Sequence, residues 1–583
     1  MATILVQIST SFLQYSSRSI EPQLGLYYIA SWLDKKGFNV KIKHFESSSP
    51  ILKPLLKIID DYSCAFLGFY VDSENVWFLR RIICAVKELR PNLIVVIGGP
   101  QVTGNPKLAL ERTVMSDIAI VGEGEIIWEK ILSAPSIDND TLSKIENIAY
   151  RLNGKIYVTN YKQPTIDINE LGFPIRQRYS LDKENEYKSL ITGRGCIGRC
   201  AFCYEGSKKH NPLRLRSVES ILDEFDYLVS SSKKKYIAFL DDTFIINPKR
   251  TERICNELIS KYHGDVKWFC EARCEILLHN AHLIPLLRKA GLIRVQLGGE
   301  SGNQNVLNCY NKGIKLEQIE SVVDLLYKNQ IPSIYINFIV GGALESIDTF
   351  KDTLEFAKKM MRKAPGCVEV GASLFTPYVG TPMYISPNQY GINIIDKELI
   401  RGADGSIPFA ESKELSQYKI AQLYDIFNAE IDQTFIEILA ELPHKTIIKH
   451  FLLDTNYDAN TLWGRKIVEV EKLKNYYESI VSNKYVDFEH VQRDLFEYAI
   501  PFRTIQPLSN GNNYHYIDNF GNYIPLHGFE ESVFLLSSGK LNIAEIKLVL
   551  QQKYEFGNNL SGELYKVYEK FNKEHLIIWK TLL

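Results

Sequence analysis

Three cysteines, Cys196, Cys200 and Cys203, stand in GRGCIGRCAFCYEG at C-x3-C-x2-C spacing, in a loop directly after a strand-like run. With 10 Cys in 583 residues, chance places such a triple in only ~0.003 of chains. Three thiolates at this spacing can wrap one corner of an iron–sulfur cubane and leave one iron open to a ligand. A closed zinc site would need a fourth donor, for which His210 or a distant residue is the alternative. The other seven, Cys64, Cys84, Cys255, Cys270, Cys274, Cys309 and Cys367, lie in strand- or helix-like runs and read as buried small hydrophobes.

A reactive loop needs a frame, and two alternating series supply it. From Thr3 to about Glu129, the runs TILVQIS, VKIKHF, CAFLGFYV, LIVVIGG and IAIVGEGE alternate with helix-like stretches such as LGLYYIASWLDKKG, the βαβ rhythm of a parallel sheet. GFYVDS, GGPQVTG and GEGE each follow a strand, where open α/β sheets bind ligands, and three such loops suit a large flat ligand. A hairpin is expected at IAYRLNGKIYV. A second series, SLITGRGC, YIAFLDD, VKWFCEAR, IRVQLGGES, SIYINFIVGG and VEVGASLF, gives six strands in about 190 residues, too few for a closed eight-fold barrel of ~250 and so a partial one.

The expected fold is α/β, with domains at 1–175 (Rossmann-like), 176–390 (partial barrel), 391–505 (mainly helical) and 506–583 (small, α+β). Charge is balanced, 68 Lys+Arg against 69 Asp+Glu, which leaves no field to draw nucleic acid or an anionic membrane. No apolar run approaches a membrane span and the N-terminal stretch lacks the order of a signal peptide, so a cytoplasmic location is expected.

The cysteine motif, with Phe202 before its last Cys, resembles the CxxxCxφC signature of the radical S-adenosylmethionine (SAM) superfamily. The resemblance implies a [4Fe–4S] cluster whose open iron is chelated by SAM. Asp241 and Asp242 in LDDTF fall where relatives hold the SAM ammonium, although the GGE triplet common there is absent. Arg273 in CEARCE and Glu300 in LGGES match positions that meet the SAM carboxylate and its ribose or amine. Each of these charges could instead be a buried ion-pair partner.

PQLGLYYIASWLDKKGFNV, GFYVDS, RPNLIVVIGGPQVTG and IAIVGEGE together resemble the cobalamin-binding domain of cobalamin-dependent radical SAM enzymes. That resemblance implies backbone approach to cobalamin at Gly25, Gly98, Gly99, Gly122 and Gly124, and hydrogen bonds from Ser73, Thr103 and Glu125. The Asp-x-His-x-x-Gly motif is missing and Gln101 stands where many relatives carry His, which implies base-off cobalamin without a His ligand. The alternative is a cofactorless Rossmann domain kept for packing.

The C-terminal stretch GNYIPLHGFEESVFLLSSGKLNIAEIKLVLQQKYEF resembles the peptide-recognition element of pyrroloquinoline-quinone biosynthesis, which takes up a leader peptide as an added strand. A helical cap or a DNA-type winged helix is the alternative, the latter disfavoured for want of a basic stripe. The resemblances together imply a radical SAM C-methyltransferase acting on an unactivated carbon of a ribosomally made peptide. Its expected partners are a precursor peptide with leader and a reductase or flavodoxin-type electron donor. Cyclisation or rearrangement, methylation of a small molecule, and a non-catalytic peptide-binding iron–sulfur protein are the other readings.

Overall fold

The computed structural model describes residues 2–9, 23–163, 166–182, 188–204, 212–395, 407–459, 461–482, 485–491, 493–510, 513–518, 522–555 and 559–580. The chain divides into two compact units, Met1–Lys363 with Val370–Asn428, and Ala364–Glu369 with Ala429–Leu583.

The first unit holds both alternating series. Strands β1 (Ala2–Ser9), β2 (Val40–Glu46), β3 (Cys64–Tyr70), β4 (Ile94–Gly98), β5 (Ile118–Ile120), β6 (Ile148–Leu152) and β7 (Lys155–Val158) form one sheet in the order β2-β1-β3-β4-β5-β6-β7. The first five are parallel and the expected hairpin, β6–β7, adds antiparallel to β5. The middle strands are almost continuously apolar because helices cover both faces, and Ile4, Val6, Leu67, Val95 and Ile97 are essentially inaccessible. Helix Val76–Leu89 buries Val76, Leu79, Ile83 and Val86, one helical stripe, and gives out at Arg90 before Pro91. In this strand order the direction of winding reverses between β1 and β3, which opens a crevice beyond their carboxyl ends.

The second sheet is the expected six-stranded partial barrel. After β8 (Ser189–Leu190) comes a small antiparallel pair, β9 (Gly193–Arg194) with β10 (Arg214–Leu215). Then follow β11 (Tyr236–Phe239), β12 (Lys267–Ala272), β13 (Leu292–Glu300), β14 (Ser333–Val340) and β15 (Val368–Leu374), in the spatial order β15-β14-β13-β12-β11-β8. From β8 to β14 neighbours run parallel. Along β13 and β14 fully buried residues alternate with half-buried ones. The buried set packs under the helices, and the half-buried Gln296, Gly298, Asn337 and Ile339 face the barrel interior. Buried ions brace the first turn of the barrel: Glu224 pairs with Arg176 (2.8 Å) and Arg216 (2.5 Å), and Arg216 Nη1 also donates to Tyr28 Oη (3.1 Å) on helix Leu24–Lys35 of the other sheet.

The second unit is largely helical, with His444–Tyr457, Leu462–Glu469 and Glu471–Val481, and ends in a small α+β body. There a three-stranded antiparallel sheet (Leu508–Asn510, Asn513–Ile517, Tyr523–Leu526) precedes helices Gly528–Leu536, Ile543–Gln551 and Leu560–Lys573. The expected turn at 519–522 lies outside the described residues except for Asn522. The four-domain expectation differs from this division at two places. The division falls at 428/429, within helix Gln417–Glu441 and well beyond position 390. The small body also begins before 506, because Phe488, Phe496 and Ala499 share its core and Ile500–Arg503 pairs with Ile577–Lys580. Among the described residues no helix is long and apolar enough to cross a membrane.

Candidate functional site: two cavities that meet at Asp242

The three cysteines line one cavity of about 500 Å³ at the carboxyl ends of the barrel strands. Cys200 is buried and the other two partly so. The loop is held in place by backbone bonds, Cys203 N to Cys200 O (3.2 Å) and Ala201 N to Tyr310 O (2.8 Å), and Gly198 N donates to Cys196 Sγ at 3.3 Å. Among the described residues no group of three His, Cys, Asp or Glu is placed to hold a single metal ion. Phe202 lines the cavity, set edge-on to Tyr310 (centroids 5.1 Å apart) with the Lys312 ammonium over its face at 5.9 Å.

The charged residues expected to meet SAM separate. Asp242, Arg273 and Glu300 line the cavity. Asp241 does not: it is buried, and its carboxylate accepts from Thr192 N (2.9 and 3.0 Å) and Thr192 Oγ1 (2.8 Å), which ties β11 to the end of β8. Burial pushes its pKa up to about 6 against the pull of those bonds. Neighbours in a strand end point to opposite sides, so of this pair only Asp242 can face the interior. Glu300, with φ +60°, is held by Lys312 at 2.6 Å.

Two lining residues escaped the sequence reading. Lys312, in NKG, neutralises Glu300. Glu271 stands on an inward position of β12, beside its cross-strand neighbour Gln296, whose Nε2 donates to it at 3.3 Å. Burial, then the nearby Asp242 and Asp241, push Glu271 up to about 7. A carboxylate at an alternate, inward position of KWFCEA, after the apolar Trp268, Phe269 and Cys270, is the signal that could have found it.

The second cavity, about 460 Å³, opens at the ends of β3, β4 and β5. Gly25, Gly98, Gly99, Thr103, Gly122, Gly124 and Glu125 line it, as expected for the cobalamin site, with apolar walls from Leu5, Leu24, Ile29 and Trp128. Gly99 has φ +118°, and a Cβ there would lie 2.5 Å from Val71 O. Thr103 Oγ1 accepts from Gly122 N at 2.9 Å and so joins two of the loops. Ser73 is buried away from the cavity, and the next residue, Glu74, lines the cysteine cavity instead. Glu125 is already engaged, 2.7 Å from Arg194, while Glu123 meets both Arg194 (3.1 Å) and Arg214. Among the described residues no His lines this cavity, and Gln101 is buried with Nε2 unpartnered. Glycine backbone and the apolar walls of Leu5, Leu24, Ile29 and Trp128 suit a broad ligand such as a corrin.

Asp242 lines both cavities, and Leu240, Arg194 and Gly195 bring the barrel to the edge of the second. The two sheets thus present their carboxyl ends to one another.

Comparison with known proteins agrees with this division. The B12 binding domain family matches residues 12–132 and the radical SAM superfamily residues 190–357. The chain is 28% identical over 374 residues to an uncharacterized methyltransferase of Pyrococcus horikoshii, an alignment covering 62% of this chain and 78% of that protein. It is 28% identical over 300 residues to an anaerobic magnesium-protoporphyrin IX monomethyl ester cyclase of Rubrivivax gelatinosus, covering 50% of this chain and 54% of the cyclase, so it spans only about half of that relative. Among solved structures, the cobalamin-dependent SAM radical enzyme OxsB with aqua-cobalamin and SAM bound superposes with a TM-score of 0.59, covering 98% of this chain and 84% of OxsB, at 16% identity, a likeness of fold. The chain therefore joins a B12 binding domain to a radical SAM domain, and its cofactors are cobalamin, a [4Fe–4S] cluster and SAM.

Proposed function

We propose that this protein methylates an unactivated carbon, with substrate held where the two cavities meet. The observation that carries this is Asp242, shared by a cysteine-lined cavity and a glycine-floored one. When bound, the cluster with SAM supplies a carbon-centred radical and cobalamin supplies the methyl group. The chain's own residues bind, orient and exclude water. Cys196, Cys200 and Cys203 anchor the cluster, Asp242 offers a carboxylate to the SAM ammonium, and the Lys312–Glu300 pair fixes the cavity wall on which the nucleoside rests. Tyr70 closes the cobalamin side and Tyr378 the SAM side.

The substrate we favour is a ribosomally made peptide, and the support is the three-stranded sheet with three helices in the second unit, whose outer strand Tyr523–Leu526 exposes Tyr523. A leader would add to that edge. A low-potential reductase or flavodoxin would supply the electron, in the cytoplasm, where thiols stay reduced. A small-molecule substrate is the second reading, favoured by the tetrapyrrole in the name of the Rubrivivax relative.

The test is an anaerobic assay of the reconstituted full chain. About four iron per chain are expected, with 5′-deoxyadenosine formed and a product one CH2 heavier than substrate. Cys196→Ala, Cys200→Ala and Cys203→Ala combined should abolish all three. An unchanged iron content in that variant would overturn the cluster assignment, and a product of unchanged mass would convert methylation into rearrangement.

A further inference from the structure

Arg273 caps the carboxyl end of β12, and every nitrogen of its guanidinium is committed. Nε pairs with Glu275, Nη2 donates to Lys312 O at 2.8 Å, and Nη1 lies 3.9 Å from Cys200 Sγ. The cysteine loop is shaped to receive it. A Cβ at Gly198, inside the C-x3-C segment, would sit 2.5 Å from Arg273 Nη1 and 3.4 Å from Cys196 Sγ, so only glycine leaves room for the guanidinium beside two cluster thiolates. Glu275 uses one oxygen; its Oε2 is buried without a hydrogen bond.

We infer that Arg273 is a positioning residue that sets the reduction potential of the cluster, by holding a positive charge and an N–H against the Cys200 sulfur. Reduction adds one negative charge to the cluster. A cation at the ligand sulfur stabilises the reduced form more than the oxidised one, and an N–H···S bond withdraws density from sulfur in the same sense. Both raise the potential and so ease delivery of the electron from a low-potential donor. The resemblance implied a different duty, the SAM carboxylate. Glu275, Lys312 O and Cys200 take three of the five N–H donors, and two remain for that carboxylate in the cavity that Arg273 lines.

The inference rests on the proposed radical SAM function, and the experiment separates the two. Reconstituted full-length protein is titrated potentiometrically without SAM, following the cluster by electron paramagnetic resonance, and SAM affinity is measured separately. Arg273→Gln should hold wild-type iron and shift the midpoint negative, by about tenfold in the reduction equilibrium, or about 59 mV for one electron. Arg273→Lys, which keeps the charge and loses the fork, should recover part of that shift. Glu275→Gln, which keeps the side chain's size and shape, should move the midpoint positive because the guanidinium loses its counter-ion; it carries the test if Arg273→Gln does not hold the cluster. An unchanged midpoint in both Arg273→Gln and Glu275→Gln would overturn the inference, with weakened SAM binding then assigning Arg273 to the SAM carboxylate alone. A wild-type protein that assembles no cubane would overturn the function itself.

Discussion

Arg194 Nη2 lies 2.7 Å from Glu125 Oε1, so a cation placed just after the first barrel strand neutralises a carboxylate at the mouth of the other sheet. Glu123 adds a second anion at 3.1 Å, and the guanidinium also sits 5.0 Å from the Tyr28 ring. Both side chains of the pair are nearly inaccessible, 14% and 4%. Removing one partner strands a buried charge, a loss of about 3–5 kcal/mol, whereas removing both is far milder. Arg194→Met should therefore lower the first unfolding transition in urea and loosen cobalamin retention, and Arg194→Met with Glu125→Gln should recover much of the stability. Equal losses in the single and double variants would show that the pair does not hold the joint.

The glycines of GGPQVTG divide into two kinds. A Cβ on Gly98 meets no atom within 4 Å, so Gly98→Ala should fold with normal stability and project a methyl into the cavity, weakening cobalamin binding alone. Gly99 has φ +118° and a Cβ that would strike Val71 O, so Gly99→Ala should cost about 1–3 kcal/mol of stability as well. Thermal melts of cobalamin-free protein beside cobalamin titrations distinguish them. A destabilised Gly98→Ala would mean that the cavity is closed in solution.

How much of this was legible in the sequence follows from the range of each interaction. The cysteine loop and the glycine turns are local patterns, fixed within a few residues, and the continuous apolar runs of the parallel strands announce burial on both faces. Glu123 with Arg194 and Arg214, or Lys312 with Glu300, are meetings of segments set by sheet order, and nothing in their neighbours announces them. Asp241 and Asp242 could be told apart only as opposite faces, without knowing which was inward. Ser73 and Glu74 pose the same ambiguity in a loop, where even alternation fails. Glu125 lines the cavity as its sequence position implied, but nothing in its neighbourhood announces the arginine 69 positions on that pairs with it.

Glu271 gives a pH dependence whose sign is fixed. Its pKa in the fold is about 7, above the 4.5 of an unburied carboxyl, because burial and Asp242 disfavour the charge. The folded chain thus holds this proton more tightly than the unfolded chain. The contribution is full below about pH 4.5 and is lost as pH rises towards 7, by about 3 kcal/mol at 1.36 kcal/mol per unit. Glu271→Gln should remove that slope, so the variant's advantage over wild type should grow from pH 4.5 to 7 in cofactor-free melts. Parallel pH profiles for the two proteins would show that folding leaves the Glu271 pKa unshifted.

The last prediction concerns the edge at Tyr523–Leu526. Asp518 N donates to Asn522 O at 3.0 Å, and the register pairs Ile517 with Tyr523 and Tyr516 with Ile524. Antiparallel pairs alternate between bonded and non-bonded, so the Ile524 N–H points inward to Tyr516 and the Tyr523 N–H points out. Pro525, the next outward position, has no N–H, which leaves Tyr523 as the one outward donor of this strand. Tyr523→Pro should thus spare the sheet's own ladder and remove the donor a leader peptide would use. At about 1 kcal/mol for one hydrogen bond, the apparent KM for full-length precursor should rise about fivefold with kcat unchanged. Ile524→Pro breaks a ladder bond within the sheet and should destabilise the small body instead. Deletion of 506–583 is a poor substitute for either, because it would strip Phe488, Phe496 and Ala499 of the core they share with Trp579. If Tyr523→Pro leaves KM unchanged for full-length and leaderless precursor alike, the edge takes no peptide and the substrate is a small molecule.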